Sequence, residues 1–147
     1  MSEQKPIAII EEEIVEEFSL FDTWDDKYEY IIDMGKKLQP LDEKLKTGDN
    51  VVRGCQSTVY LAAFEENGKV TYRADSDAII VKGLISMLIR VLSGQPADDI
   101  IAAKLDFLNR IGMMSHLAQT RSNGLLAMLK QMKHYALAFK LKNIANA

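Results

Sequence analysis

Residues 57–74 read STVYLAAFEENGKVTYRA, and this stretch decides the class of fold. Thr58, Val59 and Tyr60 favour extended chain, as do Val51 and Val52 just before them. STVYLAAF, then ENGK, then VTYRA reads as a β-hairpin, with Asn67-Gly68 suited to a type I′ turn. On both sides of this segment the apolar spacing becomes helical. The expected class is therefore α+β, a small antiparallel sheet of about three strands packed against several helices, with residues 51–74 supplying the sheet.

Upstream, Ile7, Ile10, Ile14 and Phe18 recur at helical spacing with glutamates between them. A second helix is expected in DTWDDKYEYIIDMGKKLQP. Thr23 with Asp26 resembles a capping box, Asp25 and Asp26 suit the positive helix start, and Pro40 stops the pattern. Trp24, Tyr28, Ile31 or Ile32, Gly35 and Leu38 share one face, and Trp24 reads as core. Residues 41–50 are polar and end in a turn, TGDN.

Downstream, DSDAIIVKGLISMLIRVLSGQP (75–96) is apolar nearly all round, so it should be a central helix. Asp75, Ser76 or Asp77 can cap its start; Gly94 and Pro96 mark its end. Shorter helical pieces follow through residue 113. The last helix is expected to begin near Ser122 and to run through Leu125, Leu126, Leu129, Met132, Ala136 and Phe139.

Composition narrows the function. The chain has 147 residues and one cysteine, so no internal disulfide forms and no four-cysteine metal site exists. The two histidines, His116 and His134, stand in no recognised zinc spacing, so no metal is expected. The N-terminus is acidic and interrupted by charge, unlike a signal peptide, and no apolar run reaches membrane-spanning length. A soluble, cytoplasmic protein is expected, with no membrane partner. Residues 1–50 hold six Lys/Arg against 14 Asp/Glu, and residues 101–147 hold seven against one. The basic third has no interleaved aromatics, so nucleic acid is not an expected partner. Acidic and basic helices that neighbour one another, or are simply solvated, account for the gradient.

The single cysteine sits in VRGCQSTVY (52–60). A lone cysteine is usually inert packing. Around Cys55, however, Gly54 permits close approach, and Gln56 and Ser57 bring polar groups. Arg53, two residues earlier, would share a face with the sulfur in an extended chain and favour its thiolate. A cysteine protease needs a histidine base, and neither histidine carries a family-type signature; a dithiol cycle needs a second cysteine. A thiol that accepts a group from a partner protein needs neither. Two other readings stand beside it: a thiol redox sensor and an adaptor whose cysteine is silent.

Four stretches carry a resemblance: TWDDKYEYIIDMGKKLQPL, VRGCQSTVY, DSDAIIVKGLISML and HLAQTRSNGLLAMLKQM. In this order the chain resembles the SufE family of sulfur acceptors, as one SufE-like domain over 1–147. Tyr60 stands where that family often has Trp, and residues 1–20 and 138–147 match poorly. The resemblance implies a persulfide relay in iron–sulfur cluster assembly. A SufS-like cysteine desulfurase, which owns the pyridoxal phosphate, would pass sulfur to Cys55 and be stimulated by doing so. A downstream scaffold complex would receive the sulfur. No cofactor of the chain's own is implied, and the role is that of a carrier without independent turnover. Arg121 matches an SRS-like element and would contact the desulfurase or the persulfide; the alternative is a solvated helix-start arginine. His116 lies in the matching HL pair, with a capping or surface role as the alternative. Asp75 and Asp77 read as helix caps first and partner contacts second. To shield a persulfide, Cys55 is expected to be largely buried.

Overall fold

A computed structural model describes residues 4–146, so the two ends of the expected 1–147 domain lie outside the described residues. The helices are α1 (Ile7–Ser19), α2 (Trp24–Lys36), α3 (Ile79–Leu92), α4 (Ala97–Ala102), α5 (Phe107–Arg110), α6 (Met113–His116) and α7 (Gln119–Ala145). The strands are β1 (Val59–Glu66), β2 (Lys69–Ser76) and β3 (Gln95–Pro96), antiparallel in the order β1-β2-β3. The α+β expectation holds.

The hairpin forms as its sequence predicts. Asn67 and Gly68 take φ of 56° and 78°, and Glu66 pairs with Lys69 across the turn. Val70, Tyr72 and Ala74 alternate inward along β2, while Thr71 and Arg73 face out. The buried Tyr72 hydroxyl donates to the Met132 carbonyl at 2.6 Å, tying the sheet to α7. The third strand departs from expectation. Val51 makes only an isolated bridge to Tyr60, and Gln95–Pro96 takes the place beside β2. Pro96 is tolerated because the strand is short and lies at the sheet edge.

Helix α3 is the centre, with nine of its 14 residues buried, and it packs on α2, β2, α7 and α1. Its start corrects the sequence reading. Strand β2 continues through Asp75 and Ser76, which pair with Tyr60 and Val59. The N-cap is therefore Ala78, which provides no side-chain bond. Its far end is closed by the N-terminal segment: the Gln4 amide donates to the Ser93 carbonyl at 2.8 Å.

Helix α2 starts at the Thr23 cap, whose hydroxyl accepts from Asp26 N. It ends at Lys36, before Pro40, so Leu38 lies beyond the helix. Trp24 is half-buried rather than core. The acidic helix α1 finds its cations: Glu17 pairs with Arg90 at 2.6 Å, Glu13 with Lys5 at 2.8 Å, and Glu12 with Arg110. Of these pairs only Glu12–Arg110 joins the acidic first third to the basic last third. Among the described residues no helix is long and apolar enough to cross a membrane.

Candidate functional site

The segment 53–58 is a loop pinned at both legs. Val52 and Val59 are both buried, and Val52 N donates to the Val59 carbonyl at 2.8 Å. The second leg is latched to the start of α3. Thr58 N donates to the Asp77 carboxylate at 3.2 Å, and the Ser76 hydroxyl donates to the Thr58 carbonyl at 3.0 Å. Between these legs Gly54 has φ +96° and lies against α7, where a Cβ would stand 3.2 Å from the Ala127 methyl. A side chain here would meet both a forbidden torsion and a neighbour.

Cys55 reaches α7 at a notch. The Cys55 thiol donates weakly to the Gly124 carbonyl at 3.6 Å, and a Cβ on Gly124 would sit 3.4 Å from Sγ. The missing side chain at Gly124 lets the sulfur meet the helix backbone. Gly124 was the residue that sequence reasoning missed; an isolated glycine inside a helical pattern was its one signal.

The sulfur lines a cavity of about 360 Å³. Ile80, Val81 and Leu84 of α3 and Met128 of α7 give it an apolar floor, while Gln56, Ser57, Thr120 and Arg121 are polar members of the lining. Arg121 is exposed and belongs to the first turn of α7, because that helix begins at Gln119, three residues before the expected Ser122. The fold thus brings Cys55 and Arg121 to one cavity across a sequence separation that no local pattern spans.

Cys55 is half-buried, not largely buried. Burial pushes its thiol above the ordinary value, and among the described residues no charged neighbour offsets this. The expected help from Arg53 is absent. With Gly54 at positive φ the period-two alternation fails, and Arg53 lines a different groove on the far side of the loop. Of the remaining candidates, Asp75 is held in ion pairs with Lys46 at 3.1 Å and Lys82 at 3.4 Å. Partial burial would lift its carboxyl, but Lys46, Ser76 N and Lys82 hold it below the usual range. Asp77 latches the loop. Neither caps α3. His116 is exposed and stacks on Trp24 at 3.9 Å, outside the lining of the Cys55 cavity. Among the described residues no group of three or more His, Cys, Asp or Glu could hold a metal ion.

A raised thiol keeps its proton to higher pH, so less thiolate is present at neutrality. Carbamidomethylation of the folded chain by iodoacetamide should therefore be slower than in urea. Its pH–rate profile should lie to the alkaline side of the unfolded chain's. Superimposable profiles would show that the loop does not shield the sulfur.

The chain was compared with known proteins. Residues 12–136 match the family model "SufE: Fe-S metabolism associated domain". SufE-like protein 1, chloroplastic/mitochondrial, of Arabidopsis thaliana is 42% identical over 132 residues, which cover 89% of this chain and 36% of that protein. The chain therefore spans about a third of that relative's length. An uncharacterized SufE-like protein of Rhizobium meliloti is 35% identical, covering 85% of this chain and 93% of the relative. One from Synechocystis is 41% identical, covering 87% and 80%. A solution structure of a hypothetical protein from Thermus thermophilus superposes with a TM-score of 0.73 at 19% identity, over 88% of this chain and 94% of that one, which speaks for the fold. With the family model matched along most of its length and relatives at this identity, the chain belongs to the SufE family, associated with Fe–S metabolism.

Proposed function

We propose that the chain is a sulfur acceptor, taking persulfide sulfur from a SufS-like cysteine desulfurase onto Cys55 and passing it to an iron–sulfur scaffold. The observation that carries this reading is the position of the only cysteine, on a loop pinned at both legs, with its sulfur lining a cavity that Arg121 shares. The Cys55 thiolate attacks the terminal sulfur of the donor's persulfide. A new S–S bond forms on Cys55, the donor's S–S bond breaks, and the donor's cysteine leaves as its thiolate. No external oxidant or reductant enters. The pyridoxal phosphate chemistry belongs to the partner, and stimulation of the desulfurase follows from removing its persulfide.

The redox-sensor reading fares worse. Sensor thiols are acidic and open to solvent, whereas Cys55 is half-buried with a raised thiol.

Incubation with a SufS-type desulfurase, cysteine and pyridoxal phosphate should add about 32 Da, one sulfur atom, to the intact chain, and dithiothreitol should remove it. No mass gain under turnover would sink the reading.

Arg121→Ala tests the cavity's charge. Arg121 is exposed and makes no ion pair among the described residues, so its removal should change stability by less than about 0.5 kcal/mol. Sulfur uptake should slow by about tenfold, the equivalent of one lost charge-assisted contact. An early melt, or transfer at the normal rate, would remove Arg121 from the reaction.

A further inference from the structure

The loop carrying Cys55 has a second concavity on its other side. A groove of about 530 Å³ runs between the turn Gly48–Asn50 with Val51 and Arg53 on one wall and α7 on the other. Arg53, Lys130 and His134 line it, and Asp49 is the one acid in the lining. Lys130 and His134 stand one helical turn apart, so they share a face of α7. All three basic residues are exposed. Among the described residues none of them makes a salt bridge, whereas Lys5, Lys46, Arg90, Arg110 and Lys140 each have an acidic partner. Arg53 and Lys130 are permanent cations set against the single Asp49, so the groove keeps a net positive charge that an anionic partner complements.

We infer that this groove docks an acidic segment of the sulfur-donating protein. The inference rests on the proposed function for the identity of the donor. The side chains in the groove are long and exposed, and they come from two separate elements. Such an arrangement suits a peptide offering several carboxylates better than one small ion. A second copy of this chain is the weaker candidate, because four of the five glutamates of its acidic helix are engaged and among the described residues only Glu16 is without a side-chain partner. Glu12, Glu13 and Glu17 have cationic partners, and Glu11 accepts from Phe107 N. The donor is the apt partner because Arg53 lies two residues before Cys55 on the same loop. A carboxylate bound here therefore aligns the loop with the protein that delivers the sulfur.

The test is the affinity of the full chain for a SufS-type desulfurase, measured by calorimetry at low and high salt. The double substitution Lys130→Glu with His134→Glu should weaken binding by about tenfold or more at low salt and flatten its salt dependence. A matching circular-dichroism melt shows that the fold is intact. A hexaglutamate peptide should compete with the desulfurase for the wild-type chain, and inorganic phosphate at equal ionic strength should not. An unchanged affinity overturns the inference. So does phosphate competing as well as the peptide, or a dimer in sedimentation that the same substitutions dissolve. The mass test of Cys55 is separate: wild type that gains sulfur while the variant binds normally removes the groove alone, and wild type that binds through the groove yet gains no sulfur removes the acceptor role alone.

Discussion

Gly83→Ala is expected to destabilise the chain by about 2 kcal/mol or more, although alanine is the better helix former. In an ordinary helix interior the change would add about 1 kcal/mol of stability. Here the two central helices meet backbone to backbone. A Cβ on Gly83 would stand 2.7 Å from Ile31 Cγ2 and 2.8 Å from the Ile31 carbonyl carbon, and a Cβ on Gly35 would stand 2.7 Å from Gly83 N. Ile31 is fully buried, and the Ser86 hydroxyl donates to the Met34 carbonyl across the same contact at 3.0 Å. Main chain cannot rotate aside as a side-chain tip can, so α2 and α3 must separate. Overpacking of this kind costs about 1–3 kcal/mol and sometimes more, which outweighs the propensity gain. For a chain of this size the melting temperature should fall by roughly 4 °C or more. Gly48→Ala is the control, since among the described residues nothing lies within 4 Å of its Cβ position and its φ is not positive. If the two variants melt together, the helices are not in backbone contact. The consequence reaches the cavity, because Ile80, Val81 and Leu84 beside Cys55 are carried on the same helix.

Much of the fold was legible because its strongest elements announce themselves locally. The hairpin had β-branched runs around Asn67-Gly68, and α3 had an apolar surface nearly all round. What escaped was decided by pairing. Asp75 and Ser76 resembled helix caps, but the register places them opposite Tyr60 and Val59, so the ladder took them. Gln95–Pro96 is too short to show a period, and only its bond partners on β2 make it a strand. Helix α7 begins after Ala118, which has no capping side chain to signal a start. At the site, Cys55 stood out as the only cysteine, and Arg121 was found through resemblance alone. The expected Arg53–Cys55 partnership failed for one reason: alternation along a strand cannot be carried through a glycine at φ +96°. Gly124 carries only the weak signal of a glycine inside a helical pattern, because its function is to have no side chain where the sulfur lies.

Cys55→Ser is expected to bind the desulfurase and gain no sulfur at all. The hydroxyl is smaller and can still donate toward the Gly124 carbonyl that the thiol now faces at 3.6 Å, so the fold should lose less than about 1 kcal/mol. Loss of uptake then reports chemistry, because a hydroxyl is not an S-nucleophile at neutral pH. A sulfur adduct on the Ser variant would refute the carrier role. The wild-type loop supplies the companion measurement. Its legs are fixed by Val52–Val59 and by Asp77, so the movable part is 53–57, with Gly54 as the hinge. Opening it exposes half of a small apolar side chain, about 1 kcal/mol, and breaks one weak hydrogen bond, about 0.5 kcal/mol. Together these favour the closed loop by roughly tenfold, an amount that contacts with a partner can readily overcome. A desulfurase unable to form a persulfide should therefore accelerate alkylation of Cys55 by up to about tenfold. Equal rates with and without that partner would leave sulfur acceptance standing and remove the opening of the loop. A rate that fell on binding would mean that the partner covers the thiol, with sulfur delivered to the loop in its closed form through the cavity lined by Arg121.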